Sequence, residues 1–254
     1  MFLRVSNLCK YYQKDRHSFA AADRINFSLA AGEIVGLLGI SGSGKSTLAR
    51  LLTGLTPADS GTILLDERPV NFFSQSDRRN YYRQIQYIFQ EPASAFHPSH
   101  TIGSAIMEPL LHNGYNKAQA KTELTHLLQQ TGLDAAYADR FIYQLSGGEA
   151  QRAAIARAIS IRPRLLICDE ITSALDTLTQ RQILNLLLHL QQQYQTTILF
   201  ITHDIALAAG FCHRLLVMSQ GSIVEEGLCT DILQNPHHHS TRQLLLAAHD
   251  LTFI

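Results

Sequence analysis

Gly39-Ile40-Ser41-Gly42-Ser43-Gly44-Lys45-Ser46-Thr47 fits the pattern G-x-x-x-x-G-K-[ST] and decides how the chain is read. Glycines let the backbone curl until successive N–H groups face one phosphate, and the helix that follows adds the positive end of its dipole. Lys45 is placed to reach the β- and γ-phosphates, and the Ser46 hydroxyl to coordinate Mg²⁺. The pattern has the context its mechanism needs. Residues 33–38 (Glu-Ile-Val-Gly-Leu-Leu) read as an apolar strand entering the loop, and residues 47–55 show helical spacing leaving it.

Working outward, residues 2–8, 24–29, 61–66 and 85–90 read as short strands, and residues 101–111, 117–130 and 149–159 as helices. Strand 164–168, helix 177–193 and strand 197–201 then alternate, and residues 215–218 and 222–225 flank a turn at 219–221. Alternation of this kind predicts an α/β fold with a mainly parallel sheet. Its antiparallel β part lies near the N-terminus. Residues 1–90 and 161–254 form the core of one domain, and residues 91–160 a helical insertion within it.

The chain has 254 residues, with 21 Lys plus Arg against 21 Asp plus Glu, so its formal net charge is zero. That balance argues against a general nucleic-acid binder, which carries a basic surplus. An apolar content of 46% excludes a disordered chain. The longest apolar runs are too short to span a bilayer, and the start lacks the pattern of a secretory signal. Cys9, Cys168, Cys212 and Cys229 show no CxxC spacing and read as reduced, buried thiols of a cytoplasmic protein.

Leu165-Leu166-Ile167-Cys168-Asp169-Glu170 ends a buried strand in two adjacent acids. Side chains alternate along a strand, so the two acids point apart. Asp169 is assigned to the metal and Glu170 to polarising the attacking water as general base. A solvated strand end is the bland alternative, and the phosphate loop in the same chain favours the catalytic one. Leu145-Ser146-Gly147-Gly148-Glu149-Ala150-Gln151-Arg152 opens a helix. Ser146 serves as N-cap, Glu149 closes a capping box, and a glycine-rich first turn suits an anion.

Taken in order, the phosphate loop, Gln90 at a strand end, the signature 145–152, the strand 165–170, Ser173-Ala174-Leu175-Asp176 and Thr202-His203-Asp204 resemble the ATP-binding subunits of ABC transporters over nearly the whole chain. The resemblance implies that two such subunits pair head to tail around two ATP molecules. Ser146, Gly147, Gly148 and Glu149 would act in trans on the partner's γ-phosphate. Gln90 would contact Mg²⁺ and the attacking water, and His203 would bond the γ-phosphate and orient Glu170. Asp176 would bridge the halves, and Tyr12, with Tyr11 as second choice, would stack on adenine. Two departures stand out: Glu149 replaces the usual Gln, and Ile171 follows Glu170 where Pro is common. A competent site is still expected, with Ile171 loosening the link to Asp176.

Finer features are similar to the importers of nickel, dipeptides and oligopeptides: Phe89-Gln90-Glu91-Pro92-Ala93-Ser94-Ala95-Phe96-His97-Pro98, and Asn235-Pro236-His237-His238-His239-Ser240-Thr241. A chain ending at Ile254, without a Cys-bearing extension, together with the run Phe200–Asp204 followed by Phe211-Cys212-His213-Arg214, makes nickel, or another transition metal or its chelate, the main expectation and peptides the alternative. His237, His238 and His239 are consecutive and converge poorly on one ion, so a solvated helix start is expected there. The implied partners are two transmembrane permease subunits, a second, related ATP-binding subunit, and an external substrate-binding protein reached indirectly. The implied location is the cytoplasmic face of the cell membrane, held peripherally. A non-transport ABC ATPase, a small-molecule kinase and an ATP-sensing module are the rival classes. The signature speaks against the kinase, and Glu170 with His203 against the sensor.

Overall fold

Five consecutive buried residues, Ile34–Leu38, make the strand that enters the phosphate loop, and the architecture is built around it. The computed structural model describes residues 1–14 and 17–250, with the side chains of 1–13 and 18–247. In chain order the elements begin with β1 (Leu3–Lys14), β2 (His17–Leu29), β3 (Ile34–Leu38), α1 (Lys45–Leu52), β4 (Ser60–Leu65), β5 (Arg68–Pro69) and α2 (Gln75–Gln84). They continue with β6 (Ile85–Ile88), α3 (Ile102–His112), α4 (Lys117–Gln130), α5 (Gly147–Ile159), β7 (Leu165–Asp169) and α6 (Thr177–Tyr194). Last come β8 (Thr197–Thr202), α7 (Ile205–Phe211), β9 (Arg214–Ser219), β10 (Ser222–Leu228), α8 (Cys229–Gln234) and α9 (His239–Asp250).

Two compact units divide the chain: Met1–Tyr82 with Thr197–Ile254, and Arg83–Thr196. The first contains an antiparallel sheet in the order β2-β1-β4-β5. It also contains strands in the order β10-β9-β3-β8, where β3 pairs in parallel with both β8 and β9. Parallel strands covered on both faces read as continuous apolar runs, and β3 and β8 are buried at every residue. β10 returns antiparallel through Gln220 and Gly221, at φ 48° and 80°, the signs that a two-residue primed turn requires. The sequence marked only parts of β1 and β2, because their register shifts at Val5/Leu8, Leu8/Lys10 and Lys10/Tyr11 break the alternation.

The second unit holds the parallel pair β6–β7 and helices α3 to α6. It therefore takes in β6, β7 and α6 together with the helical stretch 91–160. The core of α5 is built of small residues, with Ala150, Ala153, Ala154, Ala156 and Ala158 all buried. Small side chains let α3 and α4 approach closely. In α6 the buried residues Ile183, Leu184, Leu186, Leu187 and Leu190 follow helical spacing.

Candidate nucleotide site and signature helix

In the first unit, the phosphate loop is held by neighbours that leave no room for side chains. A Cβ on Gly39 would lie 2.3 Å from the Met218 carbonyl oxygen, and one on Gly44 2.2 Å from that of Ala21. Gly44 also sits at φ 109°, where it starts α1 in a left-handed conformation. Gly221 N–H donates to the Ser43 carbonyl at 2.9 Å, tying the loop to the β9–β10 turn. Lys45 is buried, and its Nζ donates to the carbonyls of Gly39 at 2.8 Å and Ile40 at 3.0 Å. The Ser43 hydroxyl is buried without a protein partner. An orphaned hydroxyl and a buried cation in one glycine loop suit an anionic ligand.

Tyr12 faces Phe19 across the β1–β2 ladder with ring centroids 5.9 Å apart, and Lys10 Nζ lies 5.7 Å from the centre of the Tyr12 ring. Phe19 is half exposed and was not singled out from the sequence. The two rings offer a larger apolar face than Tyr12 alone. His203 is exposed at the end of β8. Asp204 beside it caps α7, accepting from the N–H groups of Ala206 and Leu207.

In the second unit, Asp169 is buried at the end of β7 and accepts a hydrogen bond from the Tyr87 hydroxyl at 2.6 Å. Tyr87 also escaped the sequence reading; its bond depends on the β6–β7 register. Glu170 sits at φ 48°, a conformation rare for a residue with a side chain, which turns it away from the strand direction. Its Oε2 accepts from Gln90 Nε2 at 3.2 Å, so the structure joins two residues that the sequence placed in one site. A buried carboxylate beside a second acid and an amide is an oxygen donor set that suits a hard divalent cation. Ser173 N–H and hydroxyl both bond the Glu170 carbonyl, and Leu175 N–H bonds that of Thr172. Ile171 is 2% exposed. These bonds and that burial anchor the turn that follows Glu170.

Asp176 is the N-cap of α6, accepting from Thr179 N–H at 3.0 Å and the Thr179 hydroxyl at 2.6 Å. The Thr179 hydroxyl, then its N–H, holds Asp176 below the usual carboxylate range. At the signature helix the expected capping box is present, with Ser146 N–H donating to Glu149 at 2.8 Å and Glu149 N–H to Ser146 Oγ at 3.4 Å. Tyr137, unnoticed in the sequence, donates its hydroxyl to Glu149. That bond foremost, then those from Ser146, holds the Glu149 carboxyl below its ordinary range. A Cβ on Gly148 would come within 2.8 Å of Thr179 Cγ2, so glycine there permits close packing on α6.

His237, His238 and His239 are exposed at the start of α9, as expected of a solvated helix start. The carboxylate of Glu225 accepts from the N–H groups of His237 at 2.8 Å and His238 at 3.0 Å, and from the Thr241 hydroxyl. Among the described residues, no group of three or more His, Cys, Asp or Glu is arranged to hold a metal ion. No described helix is long and apolar enough to cross a membrane. None of the four cysteines is in a disulfide, and all four are buried.

Comparison with known proteins gives this arrangement a family. The ABC transporter family matches residues 22–173. The glutathione import ATP-binding protein of Pectobacterium atrosepticum is 40% identical over 89% of this chain, which spans 37% of that protein's length. The dipeptide transport ATP-binding protein of Escherichia coli is 39% identical, over 96% of this chain and 77% of its own. A putative peptide import ATP-binding protein of Brucella ovis is also 39% identical, over 96% of this chain and 78% of its own. Among solved structures, a dimeric ATP-binding cassette in a post-hydrolysis state with ADP and Pi superposes with a TM-score of 0.82 at 28% identity, covering 89% of this chain and 98% of that one. The cbiO1 protein of Clostridium perfringens, part of an ABC transporter complex, gives 0.81 at 26%, covering 100% and 99%. The α/β fold, the antiparallel N-terminal sheet and the helical segment expected from the sequence are those of this family. The chain belongs to the ABC transporter family, and within it to the ATP-binding ATPase subunits of importers.

Proposed function

We propose that this chain hydrolyses ATP, with Mg²⁺, to energise import of peptides or peptide-like solutes. The observation that carries the substrate class is the 39–40% identity to peptide, dipeptide and glutathione import proteins over 89–96% of the chain. The expectation of nickel gives way to the peptide alternative on that ground.

In this reading, the phosphate loop from Gly39 to Thr47 holds the triphosphate, with Lys45 exchanging loop carbonyls for phosphate oxygens. Tyr12, joined by Phe19, stacks on adenine. Ser46, Gln90 and Asp169 hold Mg²⁺, which when bound neutralises phosphate charge. Glu170 takes the proton of the attacking water, Gln90 orients that carboxylate, and His203 donates to the γ-phosphate. Ser146, Gly147 and Gly148, with Glu149, act on a nucleotide held by a second cassette, and Asp176 lies at the same junction. The partners are two permease subunits, a related ATP-binding subunit and, indirectly, an external binding protein. The working place is the cytoplasmic face of the membrane, and no nucleic acid is involved.

Uptake by cells lacking this chain tests the proposal, comparing labelled dipeptides and glutathione with nickel ions. Loss of peptide or glutathione uptake with nickel uptake intact is the expected result. Loss of nickel uptake alone overturns it.

A further inference from the structure

Glu149 closes the capping box at the start of α5, and its surroundings show what the carboxylate does there. Oε2 accepts from the Ser146 N–H at 2.8 Å and from the Ser146 hydroxyl at 2.8 Å. Oε1 accepts from the phenol of Tyr137, on the 3₁₀ turn Ala135–Asp139. The guanidinium of Arg140, the C-cap of that turn, lies 4.1 Å from the centre of the Tyr137 ring, a cation–π contact that steadies it. All three donors to Glu149 come from within twelve residues of it, so the cluster is local and stiff.

A serine hydroxyl has one proton. Here it points to a carboxylate, whereas a glutamine amide would compete for it less strongly. To donate to a phosphate oxygen, Ser146 has to leave Glu149, and a negative charge then remains beside an anion. How readily that happens depends on how much of the carboxylate's charge is taken up elsewhere. Among the described residues, Tyr137 is the one side chain outside Ser146 that hydrogen-bonds it. We propose that Tyr137 is a positioning residue of the signature site. By occupying Oε1 of Glu149, it loosens that carboxylate's hold on the Ser146 hydroxyl and so sets how strongly Ser146 engages the nucleotide of a second cassette. This rests on the reading that Ser146 acts in trans.

The direction follows from charge sharing. Remove the phenol, and the whole carboxylate charge falls on Ser146, which is held more tightly while the charge facing phosphate is less compensated. Remove the charge, and the phenol no longer matters for the nucleotide. A purely structural Tyr137 would lower the thermal midpoint of the chain and leave nucleotide binding as it was.

The test uses Tyr137→Phe, Glu149→Gln and the double variant in the assembled transporter, with two readouts. These are the ATP concentration giving half-maximal ATPase and the thermal midpoint of the full chain without nucleotide. One charge-assisted hydrogen bond corresponds to roughly a tenfold effect, so Tyr137→Phe is expected to raise half-saturating ATP by about 3- to 10-fold with kcat changed less than about twofold. Glu149→Gln is expected to lower it below the parent value, and Tyr137→Phe to add nothing in that background. An unchanged half-saturation in Tyr137→Phe overturns the proposal, as does an equal shift with and without Glu149→Gln. Ser146→Ala separates the two layers. If it leaves ATPase intact, the in-trans reading of the signature fails and takes this proposal with it. If it abolishes ATPase while Tyr137→Phe has no effect on half-saturation, only the role of Tyr137 falls.

Discussion

The Tyr87 hydroxyl donates to Asp169 Oδ2 at 2.6 Å from the neighbouring strand. Tyr87 is in register with Ile167, two residues before Asp169, so all three side chains share one face of the β6–β7 pair. Removing a donor from a buried carboxylate costs about 1–3 kcal/mol, and in a chain of this size each kcal/mol lowers the thermal midpoint by about 2–4 °C. Tyr87→Phe is expected to show that loss in a thermal melt. If Asp169 faces the metal as proposed, ATPase should fall about tenfold as well, the usual effect of losing a partner to a metal-facing group.

Glu170→Gln tests the general base. Gln90 Nε2 already donates to this side chain, and an amide oxygen at the same place still accepts, so the site should keep its shape. Nucleotide binding is expected to survive while turnover drops by roughly two to four orders of magnitude. Nucleotide-binding titrations beside steady-state ATPase check both halves, and normal hydrolysis would remove Glu170 from its role.

The loop glycines should not respond alike to alanine. Gly42 sits at φ 80° with open space around its Cβ position, so Gly42→Ala carries only the left-handed penalty of about 1–2 kcal/mol. Gly44, at φ 109°, adds a Cβ 2.2 Å from the Ala21 carbonyl oxygen. Its substitution should therefore destabilise far more and displace the loop from β2. Thermal midpoints and soluble yields of the two variants give the comparison.

Acid should unfold the chain partly through Glu225. Burial pushes this carboxyl up, but the Thr241 hydroxyl and the N–H groups of His237 and His238 outweigh it and hold it below the ordinary value of 4.5. A lowered folded-state pKa gives stability that is present above the unfolded value and is lost as pH falls through the folded one. The thermal midpoint should thus decline as pH drops below about 4.5, and Glu225→Gln should make that decline shallower. Melts across pH 3 to 7, run on both chains, check it. A parallel decline in the two would remove Glu225 from the explanation.

What the sequence made legible depends on distance along the chain. The phosphate loop, the acids at the end of β7 and the Ser146–Glu149 capping box are runs of a few residues, and their geometry follows from local backbone rules. Tyr87 meets Asp169 across 82 positions of sequence, and only the register of two strands brings them together. Tyr137 meets Glu149 across 12, over two turns that carry no periodic signal. Helix α2 was also missed: of its ten residues only Tyr81 is buried, so there was no apolar stripe to read. Gln90 and Glu170 were placed in one site by resemblance, and the structure adds the hydrogen bond between them.

Cys168 immediately precedes Asp169, is fully buried, and has its thiol pushed up by desolvation and then by the neighbouring carboxylate. Thiol reagents attack the thiolate at an accessible sulfur, so this residue reacts only when β7 opens. The modification rate at Cys168 is therefore a built-in clock for local unfolding of the strand that carries Asp169, and it can be timed without engineering a cysteine into the chain.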